Sequence, residues 1–260
     1  MPVVVTGADS PIGELVLDAL VGSGLDLRAT VEHRRSVADL VARGVKTAVS
    51  DLVDTERFGA VLEGAHTVIH LRGAEVDDLL DGVADILAAA PDSGVRRIVT
   101  LAGVGGAHDS HPGLRALESS EYDTVVLEVG VVLAQLSDPR AGVPSYDDLS
   151  RPVAPLWVGD LVAALVAADR LRDLHGHLRV AAVGCDVVTA GELLSLLGVT
   201  APQSPTSQSP TSQSPTSQPP MRRSGSSYDL VGDAGQGMKD TLGVRPRSLA
   251  DAVQAALGGL

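Results

Sequence analysis

Short apolar runs and longer mixed stretches take turns along the first half of this chain. Residues 3–5 are apolar and β-branched, and the strand they begin ends in Thr6-Gly7. A stretch with helical spacing follows over 14–21, with Gly22 and Gly24 behind it. The alternation repeats as a strand at 26–31, a helix at 37–43 between Ser36 and Gly44, and a strand at 45–49. It continues with a helix at 56–62, a strand at 67–71, a helix at 77–90 broken at Pro91, and a strand at 97–101. A helix at 114–119 and an apolar strand at 124–132 complete the series. Runs that are apolar at every position are strands buried on both faces, and the helices between them supply the cover. The pattern predicts an α/β fold, a Rossmann-type doubly wound parallel sheet over residues 1–150.

The second half is less regular. A helix is expected at 161–171 behind Asp160, a strand at 178–183, and a helix at 190–197 capped by Thr189. These join a last helix at 248–257 in a small C-terminal α/β lobe, residues 151–200 and 228–260. From Ser204 to Gln218 the sequence Ser-Pro-Thr-Ser-Gln occurs three times. It offers no apolar residue to bury, so 201–227 is expected to be a disordered low-complexity linker.

Composition narrows the function. With 260 residues, 44% hydrophobic and 2% aromatic, the chain can fill one sizeable core with Val, Leu and Ala. A net charge of −13 argues against nucleic acid and acidic membrane surfaces as partners. The single cysteine, Cys185, cannot form an internal disulfide, which fits a reducing compartment. No apolar run reaches the ~18 residues of a membrane span, and no basic segment precedes Val3. The expectation is a soluble cytoplasmic protein.

The strongest chemical signal is the stretch Thr6-Gly7-Ala8-Asp9-Ser10-Pro11-Ile12-Gly13. A strand, a glycine turn and a helix start place unpaired N–H groups and a positive dipole end at one point, which suits the phosphates of a dinucleotide. These residues resemble the TGxxGxxG loop of the short-chain dehydrogenase/reductase superfamily. The chain is most similar to the extended and atypical branch, with its NAD-dependent epimerase/dehydratase-like and NmrA-like proteins. Further matches lie in order along the chain. Ser50-Asp51-Leu52-Val53-Asp54 resembles a GDLxD segment, residues 65–71 a strand ending VIHLA, and Gly94-Val95-Arg96-Arg97 a GVRRxV strand. Residues 156–162, 189–194 and 242–246 resemble the family's VHVxDVA, TxxEL and LGxxP segments.

The resemblance implies a cofactor site built on Gly7, Ser10, Ile12 and Gly13. Ser10 stands where the family has its middle glycine; it could donate to a phosphate oxygen or crowd the cofactor. Glu32, 19 residues after Gly13, favours NAD through the ribose hydroxyls, while Arg34 and Arg35 behind it could serve NADP. Asp51 and Leu52 match positions that meet the adenine, and Arg72 stands where a phosphate-facing cation or a solvated strand end would lie.

The family's proton transfer uses a serine or threonine and a Tyr-x-x-x-Lys pair. Here the serine position falls on Ala102 or Gly103, and neither lysine, Lys46 or Lys239, has a tyrosine four residues before it. His111 and Arg115 keep the spacing of the missing pair. His111 is either a replacement acid or a loop histidine without a role, the plainer alternative. Arg115 could hold ribose or phosphate but cannot tune a pKa as lysine does. His108, Asp109 and His111 crowd too closely to enclose a metal, so none is expected. Glu128 stands where the family often has arginine, and Trp157 and Asp160 read as core and N-cap residues.

Three functions remain open. The favoured one is a dinucleotide-binding redox sensor or regulatory protein without the Ser-Tyr-Lys residues. The others are an active oxidoreductase or epimerase with a rearranged site, and an interaction protein whose nucleotide site stays empty. A small molecule or a protein could be the partner, and the resemblance implies homodimers through helices at the sheet edge, where 77–90 is apolar enough to serve.

Overall fold

A computed structural model describes residues 2–50, 52–71, 79–103, 110–133, 149–171, 173–198 and 235–257. The expected linker 201–227, Asp51, Arg72, His108 and Asp109 lie outside the described residues.

Seven parallel strands form the central sheet in the order β10-β6-β5-β4-β1-β2-β3. They are β1 (Val3–Thr6), β2 (Leu27–Val31), β3 (Lys46–Val49), β4 (Thr67–His70), β5 (Arg97–Gly103), β6 (Asp123–Val129) and β10 (His177–Ala182). The order reverses between β1 and β4, so a crevice opens beyond their C-terminal ends, the usual ligand position in such sheets. Helices α1 (Pro11–Leu20) and α6 (Val158–Asp169) cover one face. Helices α3 (Thr55–Leu62), α4 (Val83–Ala89) and α5 (Pro112–Glu118) cover the other. Alternate residues of each strand feed the two layers. Val3, Val5, Ile69, Leu71, Val99, Leu101, Val125 and Leu127 face α1 and α6. Val4, Val68, Ile98, Ala102 and Val126 face α3–α5. The remaining helix of this half, α2 (Val37–Ala42), follows a 3-10 turn at Arg34–Ser36.

A third apolar cluster joins the short strands β7 (Val132–Leu133) and β8 (Pro152–Val153) to α7 (Ala190–Leu196) and α9 (Leu249–Leu257). Two more short strands, β9 (Leu156–Trp157) and β11 (Val188–Thr189), pair with β7 and β8. Helix α8 (Gln236–Leu242) packs on β10 and α6.

Several boundaries differ from those read in the sequence, and caps explain most of them. Helix α1 starts at Pro11, not residue 14, because the Ser10 side chain accepts from the Gly13 N–H and proline fits the first turn. Helix α4 starts only at Val83, behind Gly82 at φ +82°. Helix α5 starts at Pro112, because His111 caps it. Asp160 lies inside the first turn of α6, and Trp157 holds the cap position without a side-chain bond. Strand β6 stops at Val129, before Gly130. The stretch 158–182, expected in the small lobe, builds α6 and β10 of the main sheet. Thr189 does cap α7, with Glu192 completing a reciprocal capping box.

Candidate functional site: the turn after the first strand

The chain leaves β1 through Gly7, whose φ of +61° is left-handed and suits glycine. The Gly7 carbonyl accepts from the Ser10 N–H at 3.0 Å and closes the turn. The Ala8 N–H donates to Thr30 O at 3.0 Å, which ties the loop to β2. Gly13 packs so tightly on this turn that a Cβ would stand 2.3 Å from Gly7 O and 2.9 Å from Ala8 Cα. Only glycine fits there without moving the backbone.

The helix start is set for an anion. Pro11 has no N–H, Gly13 N–H goes to Ser10 Oγ at 3.0 Å, and Glu14 N–H goes to Ser10 O at 2.9 Å. Among the described residues, none accepts from the Ile12 N–H, so it remains available at the positive end of a ten-residue helix. Ser10 Oγ accepts from Gly13, and its own proton is free to donate outward. A pyrophosphate fits these groups; when bound, a nicotinamide dinucleotide supplies hydride transfer.

The sequence reading missed Asp9. Its side chain is only 7% exposed. Oδ1 accepts from the Glu32 N–H at 3.2 Å, and Oδ2 from the His33 N–H at 3.0 Å and the His33 ring Nδ1 at 3.1 Å. Burial pushes its pKa up, but these donors outweigh it and hold the carboxyl below its ordinary value. Glu32, Arg34 and Arg35 are exposed at the end of β2.

Leu52 follows Ser50, whose Oγ accepts from the Leu52 N–H at 3.1 Å. Leu52 has φ +71° and is 2% exposed, packed in the layer with Val4, Phe58 and Leu62. Its side chain is core, against the expectation of an adenine-facing surface. His70, also missed, ends β4 fully buried. Its Nε2 donates to Asp81 O at 2.6 Å, so Nδ1 accepts from Thr6 Oγ1 at 2.7 Å, pinning β1, β4 and the 79–82 turn at the crevice.

On the other side of the crevice, Ala102 is in register with Glu128 and is buried. His111 is half-buried, and its Nδ1 accepts from the Gly113 N–H at 3.1 Å. That bond gives it a structural task and leaves its proton on Nε2. Arg115 is exposed and donates to Ser110 O at 2.6 Å. Glu128 is buried and paired with Arg179, whose Nε lies 2.8 Å from Oε1 and whose Nη2 bonds the same oxygen. Glu118 adds a weaker contact to Arg179 at 3.7 Å. Tyr122 precedes β6, at the end of the parallel sheet opposite the glycine turn. Burial first, then Glu121 and Asp92, pushes its phenol up, so it is no source of phenolate.

Asp160 serves as a clamp: its Oδ2 accepts from the Arg247 N–H at 2.8 Å, and Oδ1 is 3.4 Å from Arg247 Nε. The Arg247 guanidinium lies 5.9 Å from the centre of the Trp157 ring. A cavity of about 990 Å³ opens at the strand starts, lined by His66, Arg97, Tyr122, Asp169 and His175. It contains no glycine-turn residue. Its buried Arg97 donates through Nη1 to Ala168 O and Asp169 O, the last carbonyls of α6. The geometry of the glycine turn, not cavity size, marks the candidate site. Among the described residues, no helix is long and apolar enough to cross a membrane.

Residues 7–127 match a protein-family model described as NAD(P)H-binding. The chain is 28% identical to sterol demethylase protein B of Methylococcus capsulatus over 75% of its own length and 66% of that protein. It is 32% identical to an NAD(P)H azoreductase of Xenophilus azovorans over 42% of its length and 37% of that protein. It thus spans less than two thirds of either relative. Among solved structures it is similar to UDP-glucose 4-epimerase of Thermotoga maritima, with TM-score 0.69, 17% identity and coverage of 98% and 97% of the two chains.

Proposed function

We infer a redox-sensing or regulatory role for this chain, an NAD(P)H-binding Rossmann protein consistent with the extended branch of the short-chain dehydrogenase/reductase superfamily. Gly7, Ser10, Ile12 and Gly13 would hold the pyrophosphate, and Glu32 the ribose hydroxyls, which favours NAD over NADP. Arg34, two residues after Glu32, would lie toward the ribose end, and Asp51 and Arg72 complete the proposed set from outside the described residues.

One observation carries the regulatory reading: neither Lys46 nor Lys239 has a tyrosine four residues before it. Without that pair, the chain lacks the lysine by which the resembled family tunes a phenolate to move a proton near neutral pH. Dinucleotide binding would then report the redox state to a partner. A second reading rests on His111. Its Nδ1 is fixed by the Gly113 N–H, and Nε2 carries a proton it could give to a substrate carbonyl, with Arg115 beside it on α5.

Two measurements separate these readings. Titration with NADH and NADPH, followed by a panel of aldehydes, ketones and nucleotide sugars, should give binding without turnover. Oxidation of the reduced cofactor that is lost in His111→Ala would establish the enzyme reading instead. Absence of any binding would leave an interaction protein with an empty turn.

A further inference from the structure

We propose that Asp9 is a specificity-determining residue, one that admits a ribose with a free 2′-hydroxyl and turns away a 2′-phosphate. The inference rests on the dinucleotide reading above and concerns the same site.

Two successive backbone N–H groups, those of Glu32 and His33, converge on the Asp9 carboxylate at 3.2 and 3.0 Å. The His33 ring adds a third donor at 3.1 Å. Two backbone N–H groups and a ring N–H gathered at one point favour an anion there. Donors so placed at the end of β2 would suit a phosphate carried on the adenosine ribose. Here the protein fills that position with its own anion, and both carboxylate oxygens are engaged. The first of those N–H groups belongs to Glu32, whose side chain is the one proposed to meet the ribose hydroxyls. A dianionic 2′-phosphate would therefore meet two carboxylates and find the local donors already used. Arg34 and Arg35 are the available compensation, and both are exposed, where water and salt weaken their pull.

A simple loop tie would not need a charge. Asparagine or serine at position 9 could accept from one of these N–H groups and still join the turn to β2. The carboxylate adds a negative charge that is 7% exposed and held ionised by its donors. That charge is what discriminates between the two cofactors, and the tie alone would not.

The test is a titration of NADH and NADPH into the wild-type chain, Asp9→Asn and Asp9→Ser, with thermal melts to confirm folding. The wild type should bind NADH at least about tenfold more tightly than NADPH, as like charges at short range disfavour binding strongly. Both variants should gain at least about tenfold for NADPH while NADH changes by less than about threefold. An unchanged ratio in folded variants overturns the Asp9 role and leaves the dinucleotide reading intact. Equal losses for both cofactors would make Asp9 a structural tie only, and a wild type that prefers NADPH also defeats the proposal. If none of the three proteins binds either cofactor, the dinucleotide reading fails and this inference with it.

Discussion

Ser10 holds two roles that substitution can separate. It caps α1 by accepting from the Gly13 N–H at 3.0 Å, and its backbone (φ −80°, ψ 156°) is ordinary for a cap. Ser10→Ala removes that acceptor and strands an N–H at the helix start, which should destabilise the fold by about 1 kcal/mol. For a chain of this size that lowers the melting point by roughly 2–4 °C. Ser10→Gly restores the glycine expected by resemblance and should cost only a few tenths of a kcal/mol, because glycine is tolerated at caps. Both variants lose the outward hydroxyl proton. If that proton meets a phosphate, NADH should weaken by about tenfold in each, the loss of one charge-assisted bond. The assay is a pair of melts with and without NADH, backed by calorimetric titration. An alanine variant as stable as the wild type would refute the capping argument. A glycine variant that binds NADH more tightly would show that serine crowds the cofactor.

Other expectations follow from the same geometry. Gly13→Ala should lose about 1–3 kcal/mol through overpacking, since its Cβ meets backbone at 2.3 Å, and dinucleotide binding should fall with it; denaturant unfolding and titration read both. Arg179→Met leaves the Glu128 carboxylate buried without its cation and should cost about 1–3 kcal/mol, near the lower end because Arg179 is 37% exposed. Adding Glu128→Gln to Arg179→Met should recover part of that loss in urea unfolding. The Asp9 pKa is lowered in the folded state, so its stabilisation is present above the ordinary aspartate range and is lost as pH falls through the folded value. Acid unfolding of Asp9→Asn should therefore be less steep than wild type below about pH 4.

The centre of the sheet was legible because β1, β4, β5 and β6 each carry a run of consecutive apolar residues, a signature of burial on both faces. Gly7 and Gly13 were legible because each sits at a backbone demand that only glycine meets easily. Asp9 was not, because its partners are Glu32 and His33, and the pairing exists only once β2 lies beside β1. His70 escaped for the same reason: Thr6 is 64 positions away in sequence. The burial of Leu52 escaped because its neighbours Val4, Phe58 and Leu62 come together only once β1 and α3 pack in the fold. Strands β7, β8, β9 and β11 have two residues each, too short for any period to register.

The two outer strands of the sheet bear on assembly. Strand β3 carries Lys46, 68% exposed and 2.8 Å from Asp26. Strand β10 carries His177 and Arg179, the latter turned back on Glu128. A second chain adding its own strand along either border would have to strip water from Lys46 or disturb the Arg179–Glu128 pair. Among the described residues the sheet thus ends on two borders that carry charged side chains, and these disfavour the addition of a further strand there.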